Sequence, residues 1–227
     1  MNHGKIYIVG TPIGNLRDIT LRAIETLKVI DIILAEDTRR TLQLLNSYEI
    51  VGKRLVSFNS YNASKKIPMV IEKVKSGQNI ALVTDSGMPV ISDPGYELIN
   101  ECWKLGIEVD VVPGPSALTT AVAISGLVSS GFIFLGFLPR GKNRRRLFRK
   151  FADYEYPIVF FESPYRLIET LEDVLEIFGD REIFIGRELT KIHQELIRTT
   201  VKELLLDLRK REKILGEITV VLGKKVV

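Results

Sequence analysis

Cysteine and histidine are nearly absent from this sequence of 227 residues, which has one cysteine and two histidines. The single cysteine, Cys102, excludes a disulfide within the chain. With so few histidines beside it, the sequence offers no Cys/His cluster of the kind that holds zinc. We therefore predict a protein with no disulfide framework and no bound metal.

Long apolar runs are absent as well. No run approaches the roughly 18 to 20 residues that a membrane-spanning helix needs. Residues 1–10 enter a strand-like pattern without the apolar core of a signal peptide. The content of 45% hydrophobic and 26% charged residues is ordinary for a globular protein. These features predict a cytoplasmic protein with no membrane partner.

The most informative stretch runs from residue 80 to residue 95. Ile80–Val83 is a short apolar run, typical of a buried strand, and it stops at the polar segment Thr84–Gly87. Asp93 and Pro94 then precede a helical pattern, which predicts Asp93 as the helix N-cap and Pro94 as the first helical residue. A long loop between a buried strand and a helix is a common ligand-binding position in α/β sheets.

Apolar runs and helical patterns alternate through the first half of the chain. This alternation predicts a mostly parallel sheet with crossover helices. Later runs are unevenly spaced, which favours a mixed sheet, and Ser163-Pro164 predicts another helix start. Pro113–Pro115 separates the two patterns, so we predict an α/β fold with two α/β lobes, residues 1–114 and 115–227. The strands are predicted at residues 5–9, 32–35, 55–58, 80–83, 108–112, 132–138, 158–161, 182–187 and 218–222.

Loops rich in glycine, proline, serine and acids follow four of the predicted strands. Because the carboxyl ends of parallel strands meet at one edge of a sheet, we expect these loops to lie together. Neutral, narrow loops with exposed backbone suit an adenosine-like or amino-acid-like cofactor better than a triphosphate. The loops comprise residues 10–15, 36–39, 84–87 and 113–117.

Several familiar motifs are incomplete. Gly136–Asn143 resembles a phosphate-binding P-loop, but Asn143 stands where a magnesium-binding Ser or Thr is required. Gly10–Gly14 follows a strand without the glycine spacing of a dinucleotide-binding turn. His193 has no partner set that would indicate nucleophilic catalysis. The sequence thus gives no support for these three chemistries.

A basic run occupies residues 140–150, where seven of eleven residues are Lys or Arg and none is acidic. Such a run is either a solvated helix face or a surface for a phosphate-rich partner. The sequence leaves both interpretations open. The basic residues are Arg140, Lys142, Arg144, Arg145, Arg146, Arg149 and Lys150.

The motifs taken together resemble the tetrapyrrole methylase superfamily, and within it the branch that methylates small-subunit ribosomal RNA. They follow the family order over essentially the whole chain. Tyr165 departs from the pattern, because the family usually has a histidine there. The matching segments are Val9–Leu16, Ala35–Arg39, Thr84–Gly95, Val112–Ala117, Gly136–Arg140, Phe161–Pro164, Arg187–Lys191 and Gly216–Glu217.

The resemblance implies S-adenosylmethionine as cofactor, held in a cleft between two lobes, and a homodimer. It further implies 2′-O-methylation of a cytidine ribose in 16S ribosomal RNA, with the RNA or the 30S subunit as partner. The implied cofactor-binding residues are Gly10, Pro12, Asp85, Gly87, Met88, Ser116, Ala117 and Phe161. The implied RNA-binding residues are Arg140, Lys142, Arg144, Arg145, Arg146 and Arg149.

Methyl transfer to a hydroxyl needs orientation of the reactants and a group that handles the hydroxyl proton. Candidates for this catalytic role, as base or electrostatic stabiliser, are Glu36, Asp37, Arg39, Glu188 and Lys191. Lys191 could act as a base if burial beside a cation kept it neutral. Structural ion pairs are an equally weighted alternative for all five residues.

Two other functions compete with RNA methylation. One is methylation of a carbon on a porphyrinoid, of the precorrin type, as elsewhere in the superfamily. The other is a non-catalytic RNA-binding assembly factor with the same fold. The basic run at residues 140–150 favours an RNA substrate over a porphyrinoid.

Overall fold

Residues 3–225 are described by the computed structural model. The chain divides between Ser116 and Ala117 into two compact units, and each contains a five-stranded sheet covered by helices. This arrangement confirms the predicted α/β fold class. Among the described residues, no helix has the length and apolar character needed to cross a membrane.

The first unit has an all-parallel sheet in the order β3-β2-β4-β1-β5, as predicted. The central strands β2 and β4 are buried along their whole length, which is why they are continuous apolar runs. The strands are β1 (Ile6–Val9), β2 (Ile32–Ala35), β3 (Arg54–Ser57), β4 (Ile80–Val83) and β5 (Val109–Val112).

Helices cover both faces of this sheet. Helices α1 and α2 pack on one face through Ala23, Leu27 and Leu45. Helices α3 and α4 pack on the other face, for example through Val74 and Leu98. The neighbouring strands β1 and β4 therefore continue into helices on opposite faces, which makes the gap between them the switch point of the sheet. The helices are α1 (Leu21–Val29), α2 (Thr38–Ser47), α3 (Ala63–Lys75) and α4 (Tyr96–Lys104).

The predicted cap of α4 is wrong. The helix begins at Tyr96 with Gly95 as its N-cap, so Asp93 and Pro94 still belong to the loop. Gly95 has a φ of 140°, and a Cβ built there would lie 2.7 Å from Leu82 Cδ2. The chain therefore enters the helix through a conformation that requires glycine, and this displaces the start beyond the proline.

The second unit has a mixed sheet in the order β6-β7-β10-β8-β9, in which only β6 and β7 are parallel. The mixed sheet is as predicted, but β9 is absent from the prediction because its sequence is largely polar. It is an edge strand in which half-buried and exposed residues alternate from Glu195 to Arg198. The strands are β6 (Ile133–Phe137), β7 (Ile158–Glu162), β8 (Glu182–Arg187), β9 (Glu195–Thr200) and β10 (Ile218–Leu222).

Within the described residues, four helices complete the second unit, and the apolar sides of the last three form its core with β7, β8 and β10. Phe148 lies between Phe160 and Phe178, with ring centroids 6.0 Å and 5.3 Å away. Thr200 caps the last helix by accepting a hydrogen bond from the Glu203 amide. The helices are α5 (Ala117–Ser125), α6 (Lys142–Lys150), α7 (Leu167–Phe178) and α8 (Val201–Leu208).

Candidate active site

The loops that follow β1 and β4 are joined directly at the switch point. Thr11 and Gly87 exchange two backbone hydrogen bonds, with N···O distances of 2.9 Å and 3.1 Å. The Thr11 hydroxyl also donates to the Thr84 carbonyl at 3.1 Å. Gly87 has a φ of 85°, a conformation that side chains disfavour. Two predicted cofactor-binding residues, Gly87 and the buried Pro12, thus belong to one ordered loop pair.

The loop after β5 joins the same edge through glycine. The Gly10 amide donates to the Val112 carbonyl at 3.0 Å. A Cβ built on Gly10 would lie 2.7 Å from Gly114 Cα and 2.6 Å from Met88 Sδ. The backbones of Gly10 and Gly114 can approach this closely only because neither residue has a side chain. Gly10 and Met88, both predicted cofactor residues, are therefore neighbours.

The loop after β2 is bound to the β4 loop by side chains. The Asp37 amide donates to Asp85 Oδ1 at 3.0 Å, and the Thr84 hydroxyl donates to Glu36 Oε2 at 2.8 Å. Arg40 forms a longer ion pair of 3.4 Å with Asp85. All four loops therefore meet at the carboxyl edge of the first sheet, and their predicted gathering is confirmed.

Asp85 is the half-buried carboxylate at the centre of this edge. Burial raises its pKa, the Asp37 amide opposes the shift, and the negative charge of Glu36 adds to it. A ligand that brought a cation or hydroxyl donors to this carboxylate would favour its charged form. S-adenosylmethionine has a sulfonium cation, an ammonium group and ribose hydroxyls, so the acidic and backbone groups of this edge fit it.

The guanidinium of Arg39, a predicted catalytic residue, is engaged by Asp37. The Arg39 guanidinium donates two hydrogen bonds to the Asp37 carboxylate, from Nη2 to Oδ2 at 2.8 Å and from Nε to Oδ1 at 3.1 Å. Asp37 also accepts a hydrogen bond from the Arg39 amide, as the N-cap of α2. The Arg39 side chain lowers the pKa of Asp37 to about 2. The pair stabilises the start of α2, and a catalytic role for Arg39 stays a prediction.

The β4 loop contains strained backbone that sequence reasoning missed. Val90 has a φ of 74° and Ser92 a φ of 69°, both in the left-handed region. A β-branched residue is a genuine outlier there, and such strain persists where surrounding structure enforces it. The strain falls between Gly87 and Gly95, in the longest loop of the candidate site.

A second cluster of predicted catalytic residues lies in the other unit, after β8. Lys191 Nζ is 2.8 Å from Glu188 Oε1 and 3.2 Å from Glu217 Oε2. Glu188 also accepts from the Glu217 amide at 2.8 Å. A Cβ on Gly216 would lie 2.5 Å from Glu188 Cγ, so glycine is required beside this carboxylate. The segments Arg187–Lys191 and Gly216–Glu217 therefore form one ionic cluster.

The charge state of Lys191 bears on one prediction. Burial lowers the pKa of Lys191, but hydrogen bonds and charge from Glu188 and Glu217 outweigh it and raise the pKa above its ordinary value. Burial raises the pKa of Glu188, and the Lys191 and Glu217 contacts reverse this into a net lowering. The raised pKa favours the protonated form of Lys191 and argues against its role as a neutral base, and a catalytic role for Lys191 stays a prediction.

The end of β7 holds another predicted cofactor residue, Phe161. Its ring is half-buried, and the centroids of Phe134 and Phe137 lie 5.1 Å and 5.4 Å away. The next residue, Glu162, is buried and accepts hydrogen bonds from the Ser163 amide and the Arg166 guanidinium at 2.7 Å and 2.8 Å.

These bonds hold residues 163–166 in a turn before α7. The Arg166 amide donates to the Ser163 carbonyl at 3.0 Å. The helix therefore begins at Leu167, and the predicted start at Ser163-Pro164 is wrong. Of the other predicted cofactor residues, Ser116 ends the first unit and Ala117 opens α5 of the second.

The basic run forms α6, but two of its arginines are engaged within the second unit. Arg144 is only 1% exposed and bonds to Asp173 Oδ2 at 2.7 Å, Thr170 Oγ1 at 3.0 Å and Glu169 Oε1 at 2.8 Å. Its predicted contact with RNA is therefore wrong, because its guanidinium is buried against α7. Arg145 is half-buried and pairs with Glu176.

The remaining basic residues of α6 share one exposed face. Lys142, Arg146 and Lys150 recur every four positions, Arg149 follows Arg146 by three, and all four are exposed. Within residues 3–225, no acidic side chain forms an ion pair with any of these four. Arg140, also exposed, lies just before the helix. We call these five residues the basic face; it carries uncompensated positive charge.

Comparison with known proteins identifies the family of this arrangement. Residues 5–205 match the family described as Tetrapyrrole (Corrin/Porphyrin) Methylases. The chain belongs to the tetrapyrrole methylase family. Ribosomal RNA small subunit methyltransferase I of Thermotoga maritima is 61% identical over 222 residues, covering 98% of this chain and 99% of that protein. The protein of the same name from Hydrogenobaculum sp. is 45% identical over 222 residues, covering 97% and 96%.

A solved structure shows the same fold at low identity. The uroporphyrin-III C-methyl transferase of Thermus thermophilus, complexed with S-adenyl homocysteine, superposes with a TM-score of 0.67 at 19% identity and covers 97% of both chains. Membership of the family confirms the predicted resemblance, the methyltransferase activity and S-adenosylmethionine as cofactor. The individual site residues stay predictions.

Proposed function

We propose that this methyltransferase transfers the methyl group of S-adenosylmethionine to the ribose 2′-hydroxyl of a cytidine in small-subunit ribosomal RNA. The observation that carries the proposal is the match to Ribosomal RNA small subunit methyltransferase I over 98% of this chain. The basic face of α6 supports it, because phosphates are the natural partners of uncompensated Lys and Arg side chains. We further propose a cytoplasmic homodimer acting on the RNA or the 30S subunit.

The cofactor contacts are proposed on the edge where four loops of the first sheet meet. Asp85 would accept from the cationic or hydroxyl groups of the cofactor, and the backbone around Gly10, Gly87 and Met88 would line its apolar and polar parts. Pro12, Ser116, Ala117 and Phe161 are included as the family motifs imply. These residues bind and orient the methyl donor, so that its methyl group points in line with the hydroxyl.

The catalytic contribution is proposed for Lys191 and Glu188. The transfer forms a bond between the methyl carbon and O2′, breaks the carbon–sulfur bond and releases the hydroxyl proton. Because Lys191 stays protonated, it does not accept this proton; its ammonium stabilises negative charge that develops on O2′. Glu188 and Glu217 hold the ammonium in place. Glu36 is the further candidate to accept the hydroxyl proton as a carboxylate, and Arg39 is a further candidate to stabilise the developing charge.

The proposal is tested by supplying the purified protein with methyl-labelled S-adenosylmethionine and alternative acceptors. Small ribosomal subunits from a strain that lacks the modification should take up label, whereas large subunits and uroporphyrinogen should not. Label in a porphyrinoid would instead support carbon methylation. Cofactor binding without transfer to any acceptor would support an assembly factor.

A further inference from the structure

Two exposed aromatic rings lie at one end of the second sheet. Phe137 is the last residue of β6 and is 63% exposed, and Tyr165 follows the end of β7 and is 85% exposed. Because β6 and β7 are parallel neighbours, both rings are at the carboxyl edge of the sheet. The Arg166 guanidinium donates to the Leu138 carbonyl at 2.8 Å, which ties the two segments together next to the rings.

The support beneath these rings is rigid. Phe137 lies against Phe161, with centroids 5.4 Å apart, and Phe161 lies against Phe134 at 5.1 Å. The turn that carries Tyr165 is fixed by the buried Glu162, which accepts from the Ser163 amide and pairs with Arg166 at 2.6 Å. Single exposed apolar residues are common on protein surfaces, but two aromatic rings at one sheet edge, rimmed by polar and charged residues, are typical of an interaction site.

The charge beside the rings identifies their partner. Arg140 and Lys142 come three and five residues after Phe137, and Arg146 is one helical turn beyond Lys142 on the basic face. A row of phosphate-binding cations next to exposed aromatic rings is the pattern by which proteins hold single-stranded nucleic acid, with phosphates on the cations and bases on the rings. A protein partner with an apolar face would not need the adjacent positive charge.

We propose that Phe137 and Tyr165 form a stacking platform for unpaired nucleobases of the RNA substrate. This inference rests on the proposed function, and it adds how the protein holds unpaired RNA bases beside the target ribose. Sequence-specific RNA recognition targets unpaired bases that stack on aromatic side chains. The basic face would hold the backbone while the platform holds bases beside the target ribose.

The test compares binding of a short single-stranded pyrimidine RNA with binding of an abasic strand of equal length. The wild-type protein should bind the strand with bases about tenfold more tightly, the value of one or two stacked bases. Tyr165→Ala and Phe137→Ala should each reduce this preference several-fold, whereas Tyr165→Trp and Phe137→Tyr should preserve it. Tyr156→Ala is the matched control, since Tyr156 is an exposed tyrosine before the start of β7.

Different results would overturn the stacking platform and the proposed function. Equal wild-type binding of both strands, or a preference that survives in Tyr165→Ala, would overturn the platform. A change of oligomeric state in Tyr165→Ala would assign the ring to a subunit contact and also overturn it. If the platform fails while the wild-type protein still methylates small subunits, the proposed function stands. Tyr165→Ala decides the test if Phe137→Ala does not fold, because Tyr165 has little buried surface.

Discussion

Lys191 Nζ lies 2.8 Å from Glu188 Oε1, and this contact keeps the lysine charged. Replacing Lys191 by Met should lower the single-turnover rate of methyl transfer by about 100-fold, the usual effect of removing one stabilising donor. Cofactor affinity, measured by calorimetry, should hardly change. Lys191→Arg keeps the charge and should retain a measurable part of the rate. An arginine variant as inactive as the methionine variant would favour a proton-accepting role.

The same ion pair predicts a pH window for stability. The pKa of Lys191 is raised, so its contribution is present below the unfolded lysine value of about 10.5 and disappears above it. The pKa of Glu188 is lowered, so its contribution is present above about 4.5 and disappears as the pH falls further. Thermal unfolding should therefore show the largest difference between wild type and Lys191→Met between these limits. A difference that is constant across all pH values would contradict the pairing.

Replacing Asp85 by Asn should weaken cofactor binding without lowering the stability of the fold. The raised pKa of Asp85 means that the fold disfavours the charged carboxylate, so Asp85→Asn should be at least as stable as wild type at neutral pH. The same substitution should weaken S-adenosylmethionine binding by about tenfold, because it removes a charged acceptor. Wild-type affinity should also fall as the pH drops through the raised pKa, and the variant should lack this dependence.

A control for Asp85 is available on the edge strand β5. Asp110 is an exposed carboxylate whose Oδ1 accepts only from the adjacent Val111 amide at 2.7 Å among the described contacts. Asp110→Asn should therefore leave cofactor affinity unchanged. Wild-type affinity in Asp85→Asn would remove Asp85 from the cofactor site.

The basic face should determine the salt dependence of RNA binding. Replacing Arg146 and Arg149 by Ala should weaken binding to small subunits and lower the log–log salt slope by about 1 for each phosphate that the protein no longer neutralises. Arg145 is the matched comparison, because it is already paired with Glu176 and should contribute less. Cofactor affinity should be unchanged in both variants. A wild-type salt response in the double variant would show that the basic face is a solvated surface that does not contact phosphates.

Arg144 should act on stability instead. Arg144→Ala removes the guanidinium that bonds to the buried Asp173, which keeps only the longer 3.3 Å contact with Arg145. This loss should cost about 3–5 kcal/mol in the free energy of unfolding. Arg146→Ala, on the exposed face of the same helix, should change it by less than about 0.5 kcal/mol. Urea unfolding of the two variants measures both values. Equal effects would contradict the burial of Arg144.

The sequence was sufficient to predict the elements with strong local patterns. Fully buried strands such as β4 are continuous apolar runs, which can be recognised without knowledge of any distant contact. The helix starts predicted at Asp93-Pro94 and Ser163-Pro164 were wrong, because distant contacts decided them. Gly95 packs against Leu82, and Glu162 anchors the turn before α7.

The candidate site was likewise predictable from the sequence only where distant contacts do not decide it. The four strand-end loops could be predicted from motifs, since a parallel sheet necessarily collects them. The burial of Arg144 could not, because its partners Thr170 and Asp173 lie on α7, far along the chain. The charge of Lys191 likewise depends on Glu217, which reaches it from the segment before β10. Such pairings are set by tertiary structure.

The central claim is methylation of a ribose hydroxyl in small-subunit RNA. The most direct measurement is digestion of subunits methylated by the purified protein, followed by mass spectrometry of the nucleosides. The account predicts one new 2′-O-methylcytidine per small subunit, with the methyl group on the ribose fragment. A methyl group on a base, or no new methylated nucleoside in subunits incubated with active, cofactor-loaded protein, would contradict it.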